Sequence, residues 1–219
     1  MRTWFSPLCL LVGAVLIAVN GVRHPMLDGD GASQLAIIAA TPAWRTIHWG
    51  FLFGFALVIT GLAWLASRYR NTEGEGAARA GICLATFGYA VFAAGVVFMA
   101  GAGTALADAM RRADLGLTGT HAVFIYDMLH PFAQSALRTG AFAISLATGA
   151  FGWALVTDRT QPKVLGYLGV AAGAIGAAVA IALDEAAYHT VLGAALATVW
   201  QIVIAIVALL PARGTPATA

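Results

Sequence analysis

Residues 41–66 have the sequence TPAWRTIHWGFLFGFALVITGLAWLA, and this stretch decides the fold class. Beyond its first five residues it contains no Asp, Glu, Lys or Arg. The uncharged run is long enough to cross the roughly 30 Å hydrocarbon core of a bilayer as an α-helix. Thr41 is a suitable N-cap, Pro42 suits the first helical position, and Trp44 suits the membrane–water interface. We therefore predict that residues 43–66 form a membrane-spanning helix.

The rest of the chain shares this character. Of its 219 residues, 60% are hydrophobic and only 10% are charged, whereas a soluble domain carries about 25% charged residues. Apolar runs long enough to span a bilayer occur six times. We predict an all-α fold with one domain over residues 1–219, a bundle of six transmembrane helices with short interfacial helices on the outer side. The predicted spans are residues 5–22, 43–66, 80–104, 133–156, 164–183 and 186–210.

The distribution of Lys and Arg predicts the orientation of the bundle. With the N-terminus in the cytoplasm, the cytoplasmic segments hold most of the basic residues, namely Arg2, Arg68, Arg70, Arg79, Arg159, Lys163 and Arg213. We therefore expect both termini in the cytoplasm. High Ala, Gly and Arg usage is typical of a GC-rich bacterium, so a bacterial inner membrane is the expected location. AVNGV at residues 18–22 is a poor cleavage site, so we expect the first span to remain uncleaved.

Charge and glycine patterns indicate the kind of partner. The net charge of +2 is scattered without a basic stripe, so we expect the lipid bilayer as a partner and no nucleic acid. In the fifth span, Gly166, Gly169, Gly173 and Gly176 share one helix face and predict close helix packing. That packing can lie within the chain, or between copies in a homo-oligomer or subunits of a larger membrane complex.

Two polar segments interrupt the apolar runs. The first, ALDEAAYHTV at residues 182–191, lies where the fifth and sixth spans must be joined by a turn, because one helix across both would be about 70 Å long. The second, THAVFIYDMLHP at residues 120–131, predicts a short amphipathic helix stopped by Pro131. Upstream, SQLAIIAA at residues 33–40 predicts a further short helix at the interface.

All five histidines fall on the predicted outer side. Asp127 precedes His130 by three residues, and Glu185 precedes His189 by four, so each pair shares one helix face, as a metal site requires. The expected ligands of a zinc-like divalent metal ion are His48, His130 and His189. The expected acid or base residues are Asp127, Asp184 and Glu185. His24 and His121 are expected in connecting loops.

Several functions remain open, and whether the protein is an enzyme is one of the open points. The first is metal-assisted hydrolysis of a lipid-like or amphiphilic substrate. The second is a non-catalytic membrane subunit or a small-solute transporter, in which the same residues are helix caps and interface anchors. The third is a haem-binding membrane protein, for which His48 and His189 are the best-placed axial ligands.

Two segments, TPAWRTIHWGFLFGFALVITGLAWL and PKVLGYLGVAAGAIG, resemble a loose group of bacterial six-span integral membrane proteins. That group has a W-x-x-x-H entry to its second helix, matched here by Trp44 and His48. It also has a P-x-x-L-G-x-L-G-x-x-A-G start to its fifth helix, matched here from Pro162 onward. The resemblance implies a six-span fold with His48 as a shared position, and it implies no activity.

Overall fold

The computed structural model describes residues 4–112, 117–158, 163–182 and 187–210, with the backbone alone described at 117–118 and 187–191. The fold is all-helical, with 88% helix and no strand in these ranges. A π-helical turn at Met99–Gly103 lies between two of the helices. The helices are α1 Phe5–Arg23, α2 Gly31–Ala39, α3 Trp44–Ser67, α4 Glu75–Phe98, α5 Thr104–Arg111, α6 Leu117–Thr157, α7 Lys163–Ala182 and α8 Ala187–Leu209.

Within the described ranges, six helical runs are long and apolar enough to cross a membrane, which confirms the predicted six-helix bundle. They are α1, α3, α4 with its continuation into α5, α6, α7 and α8. Helix α6 is the most buried of them and packs against α4, α7 and α8. The bundle is completed by α1, which packs against α3 and α8, and by α3, which packs against α4. The chain is a multi-pass membrane protein.

Glycine backbones form the contact between α6 and α7. A Cβ added to Gly173 would lie 2.5 Å from the backbone nitrogen of Gly149, and one added to Gly152 would lie 2.5 Å from the backbone nitrogen of Val170. Small residues that permit such close approach hold helices together in lipid, where no hydrophobic force acts between them. The glycine face of the fifth span is thus used within the chain.

The bundle interior contains a polar pair that links α4 to α8. The hydroxyl of Tyr89 donates to Gln201 Oε1 at 3.1 Å, and Gln201 Nε2 lies 3.0 Å from the same hydroxyl oxygen. Both side chains are buried. Because no water reaches the bilayer core, such polar groups need partners within the protein. This pair therefore fixes the position of α8 relative to α4.

Two helices are longer than a bilayer requires. The run from α4 through α5 has 37 residues and α6 has 41, which correspond to about 55 and 60 Å. At the other end of the bundle, the start of α4 and the end of α6 lie at the same level, because Gly74 lies against Ala154 and Thr157. The excess length of both helices therefore projects at the end of the bundle where α1 ends and α2 lies. We call this end of the bundle the α2 end.

The projecting segments form a second small core at the α2 end. Leu35 and Ile38 of α2 pack there with Trp44, Met99 and Tyr126. This arrangement confirms the short helix predicted at SQLAIIAA, whose residues 33–39 belong to α2 and whose last residue, Ala40, is the C-cap. It also explains why α4–α5 and α6 remain helical beyond the length of a bilayer, since their projecting apolar positions are covered by α2.

Three local sequence predictions are wrong. His121 does not lie in a connecting loop, because it belongs to α6. Pro131 does not stop a helix, because α6 runs through it while α2, α4 and α5 pack alongside. These tertiary contacts outweigh the hydrogen bond that the proline removes. Thr41 does not cap the second span, because α3 begins at Trp44 after Ala43. The Thr41 hydroxyl instead donates to the carbonyl oxygen of Ile37, at the end of α2, at 2.7 Å.

Candidate functional site

The predicted ligands are only partly within the described structure. His48 and His130 both lie at the α2 end, on α3 and α6. Asp184 and Glu185 lie outside the described residues, and so does the side chain of His189. Within the described part of the chain, no three His, Cys, Asp or Glu side chains are close enough to hold a metal ion together. The predicted set of three histidines therefore stays a prediction.

His48 is buried near the start of α3, with 2% of its surface exposed. Its Nδ1 lies 2.7 Å from the carbonyl oxygen of Trp44. A carbonyl oxygen can only accept, so Nδ1 carries the proton and donates it in this bond. The lone pair of His48 is therefore on Nε2, and no other hydrogen bond joins this ring to a described residue.

His24 lies in the connection after α1, as predicted, and its partly buried ring packs on His48. The two ring centroids are 5.1 Å apart, and the rings meet edge to face. Burial lowers the pKa of His24 below its ordinary value, although the carbonyl of Pro25 acts in the opposite direction. The imidazole is thus neutral at neutral pH, which is the form that binds metals.

The indole of Trp44 forms the third side of this group. Its centroid lies 4.9 Å from that of His24 and 4.4 Å from that of His48. Trp44 Nε1 donates to the carbonyl oxygen of Met99 at 2.9 Å, which ties the indole to the π-helical turn. Such turns often occur at functional sites. The indole also packs in the small core with Leu35 and Ile38, so its orientation is fixed from two directions.

His130 belongs to a different group. Its ring stacks on Tyr126 with centroids 4.7 Å apart, and its Nε2 lies 3.0 Å from Gln134 Nε2. The Tyr126 hydroxyl in turn donates to Gln34 Oε1 at 2.9 Å. The bond from Tyr126 to Gln34 joins α6 to α2, whereas the contacts of His130 with Tyr126 and Gln134 lie within α6.

Asp127 lies at the N-terminal end of α2. Its carboxylate fills the space beside Gly31, the first residue of that helix, so a larger residue at Gly31 would displace it. A helix N-terminus favours negative charge. Asp30, the N-cap residue of the same helix, accepts a hydrogen bond from the backbone nitrogen of Ser33 at 2.9 Å. Both carboxylates thus stabilise α2.

No protein family, curated protein or solved structure matches the chain. Function must therefore be inferred from its own residues. Of the described groups at the α2 end, the pair His24 and His48 brings two imidazoles together, and the hydrogen bond to Trp44 places the lone pair of His48 on Nε2. Sequence reasoning included His48 and missed His24 as its neighbour.

Proposed function

We propose that this multi-pass membrane protein binds a transition-metal ion at the α2 end through the imidazoles of His24 and His48. The observation that carries the proposal is the 5.1 Å separation of the two ring centroids. Two imidazoles that share one tetrahedral ion, each at about 2.0–2.1 Å, have ring centroids about 5 Å apart. The separation of the two centroids in this structure therefore matches that of two imidazole ligands of one ion.

The surroundings of both rings support the same proposal. Histidines that ligate metals generally direct their second ring nitrogen at a carbonyl or carboxylate, which fixes the tautomer and orients the ring. His48 has this partner in the Trp44 carbonyl, and the Pro25 carbonyl lies beside the ring of His24. Neither ring has to lose a proton before it can bind a metal.

Two imidazoles leave coordination positions for further ligands. Helix α8 begins at the same end of the bundle at which α1 ends, and it packs against α1. His189 therefore remains the predicted third ligand, with Asp184 and Glu185 as the neighbouring carboxylates. An ion with three protein ligands and one water is the arrangement that supports metal-assisted hydrolysis, here of an amphiphilic substrate reaching the site from the bilayer.

Metal analysis of the purified full-length protein tests the proposal. The protein is incubated with Zn²⁺ or Co²⁺, freed of excess metal and analysed for metal by elemental analysis. We expect about one ion per chain in the wild type and its loss in His24→Ala and in His48→Ala. His130→Ala is the matched control, since it also removes a histidine from the α2 end, and it should keep the metal.

Two outcomes would contradict the proposal. One is a folded wild-type protein that binds no metal, and the other is equal metal content in the wild type and both ligand variants. The same preparations decide the finer predictions. Loss of metal in His189→Ala supports a set of three ligands made up of His24, His48 and His189. A Soret absorption band that disappears in that variant supports haem instead.

We further propose that the membrane is a bacterial inner membrane and that the α2 end faces away from the cytoplasm. Support comes from the opposite end of the bundle, where Arg68, Arg70, Arg79 and Lys163 lie in or beside the connections between spans. A green fluorescent protein fused to the C-terminus should then be fluorescent in bacterial cells. An alkaline phosphatase fused at the same point should be inactive, and an active one would reverse the orientation.

A further inference from the structure

The projecting half of α6 exposes large apolar side chains at the α2 end. Phe124 is 64% exposed, Ile125 is 43% exposed and Met128 is 66% exposed. On the same helix, Tyr126 and Asp127 contact α2. With 3.6 residues per turn, the three apolar residues lie on the opposite side of α6 from this contact. Helix α2 therefore leaves them uncovered.

The length of α6 places part of this apolar face beyond the bilayer. Thr157 is the last residue of α6 and is followed by the charged residue Asp158. Counted from Thr157 at 1.5 Å per residue, Met128 lies about 44 Å along the helix, Ile125 about 48 Å and Phe124 about 50 Å. A bilayer with its headgroup regions is about 40–45 Å thick. Lipid can thus cover α6 only as far as about Met128, and an apolar face that continues beyond the lipid indicates a protein partner.

The spacing of the exposed residues indicates what kind of partner fits. Ile125, Met128, Phe132, Ser135 and Thr139 follow one another at intervals of three, four, three and four residues, and all five are exposed. We call these five residues the α6 seam. Such alternation is that of the a and d positions of a coiled coil, at which two helices interdigitate. The seam therefore fits a second helix that lies along α6 from the bilayer to the region beyond it.

The part of the seam within the bilayer also suits a neighbouring helix. Ser135 and Thr139 are small, and small side chains let two membrane helices approach closely. Beside them, Phe132 borders a groove between α4 and α6 whose other walls include Ala90 and Ala94. A side chain from a helix packed along the seam can enter this groove.

The partner helix must project from the membrane as far as α6 does. Among the described helices, only the run from α4 through α5 is comparably long, with 37 residues. That run already packs against a different side of α6, where Gly95 lies against Ala133 and Leu137. A second copy of the chain supplies a helix of the required length with the same seam. Because both copies have the same orientation in the membrane, their α6 helices are parallel.

We propose that two copies of the chain form a dimer through the α6 seam, with a two-fold axis along the membrane normal. In such a dimer the same residues of both copies meet, so Met128 packs on Met128 of the second copy and Phe132 on Phe132. Phe124 occupies the position that flanks the seam beside Ile125 and is covered with it. The dimer does not depend on the proposed metal site, because His24 and His48 lie outside the seam.

Cross-linking of the full-length protein in cell membranes tests the dimer. The two native cysteines, Cys9 and Cys83, are replaced by alanine, and Met128→Cys is introduced. A short bismaleimide, which joins two nearby thiols, should convert this variant to a product of twice the mass on a denaturing gel. Met26→Cys is the matched control, because Met26 is 52% exposed at the same end of the bundle but precedes α2 and lies outside α6. It should remain a monomer.

The molar mass of the detergent-solubilised protein gives a second measurement. Met128→Glu brings two carboxylates face to face, and like charges across an interface cost several kcal/mol, so the dimer should dissociate at least about tenfold more readily. Met26→Glu should stay as dimeric as the wild type. Coexpression of Met128→Glu with Met128→Lys, each with its own affinity tag, should restore dimers that contain one copy of each.

The inference is overturned if Met128→Cys yields no more dimer than Met26→Cys, or if folded Met128→Glu remains as dimeric as the wild type. A cross-linked product that contains a different protein would assign the seam to another subunit and would also overturn it. If Met128→Glu does not fold, the cross-linking of Met128→Cys decides by itself.

Discussion

Replacement of Gly173 by alanine should loosen the contact between α6 and α7. The new Cβ would lie 2.5 Å from the backbone nitrogen of Gly149 and 2.6 Å from the carbonyl oxygen of Ser145, whereas ordinary contacts begin at 3.4 Å. The two helices must therefore separate locally by up to about 0.9 Å, which is the difference between 3.4 and 2.5 Å. The obstructing atoms belong to a helix backbone, which cannot rotate away as a side chain can.

The size of the effect follows from two opposing contributions. Overpacking of a tight contact costs about 1–3 kcal/mol, and backbone obstruction favours the upper end of that range. Alanine recovers about 1 kcal/mol relative to glycine within a helix. The free energy of unfolding of Gly173→Ala should thus fall by about 2 kcal/mol, which lowers the melting temperature of a chain of this length by about 4–8 °C.

Gly149→Ala is the matched control at the same contact. A Cβ there would meet its nearest atom, the Cα of Gly173, at 3.8 Å, which is an ordinary distance. This variant should unfold at or slightly above the wild-type temperature. Thermal unfolding of both variants in one detergent, followed by tryptophan fluorescence, makes the comparison. If Gly173→Ala melted at the same temperature as Gly149→Ala or above it, the close approach of α6 and α7 would be refuted.

Three further perturbations test other parts of the structure. Tyr89→Phe leaves Gln201 without its partner in the bundle interior and should cost about 0.6–2 kcal/mol in the same melting assay, with Gln201→Leu in the same chain restoring part of the loss. The Ser33 hydroxyl and backbone N–H hold the pKa of Asp30 below its ordinary value, so the cap of α2 is fully effective above about pH 4 and is lost as the pH falls through the lowered value. The protection factors of the α2 amides, which correct exchange for its intrinsic rate at each pH, should therefore fall on acidification in the wild type but not in Asp30→Asn, and an equal fall in both would count against the cap. Arg138→Met removes donors at 2.6 and 2.9 Å to two carbonyls at the end of α7, and unchanged hydrogen exchange there would exclude this capping role.

The membrane spans could be predicted because the apolar composition of a segment by itself determines whether that segment can cross the hydrocarbon core of a bilayer. The run at residues 46–66, which contains no Asp, Glu, Lys or Arg, identifies α3, whose observed bounds are Trp44–Ser67. The wrong predictions at Thr41 and Pro131 concern helix ends, where a hydroxyl or a proline acts on a few hydrogen bonds. There, contacts with α2 and α5 decided the outcome, and the local sequence does not encode them.

The pairing of His24 with His48 was beyond sequence reasoning for a related reason. Helical spacing identifies neighbours on one helix, such as Asp127 and His130, but not neighbours on two helices. The two histidines meet because α1 packs directly on α3, where a Cβ on Gly13 would lie 2.7 Å from a backbone oxygen of α3. The available signal was that His24 ends one span and His48 begins the next, so both lie at the same face of the membrane.

X-ray absorption at the metal edge of the loaded protein tests the central claim most directly, because scattering from imidazole rings counts the histidine ligands. Two imidazoles, from His24 and His48, are predicted at about 2.0–2.1 Å from the ion, or three if His189 also binds. Each of His24→Ala and His48→Ala should remove one ring from the signal, and His130→Ala should remove none. A bound ion whose imidazole scattering is unchanged in His24→Ala, or an ion without imidazole ligands, would contradict the site.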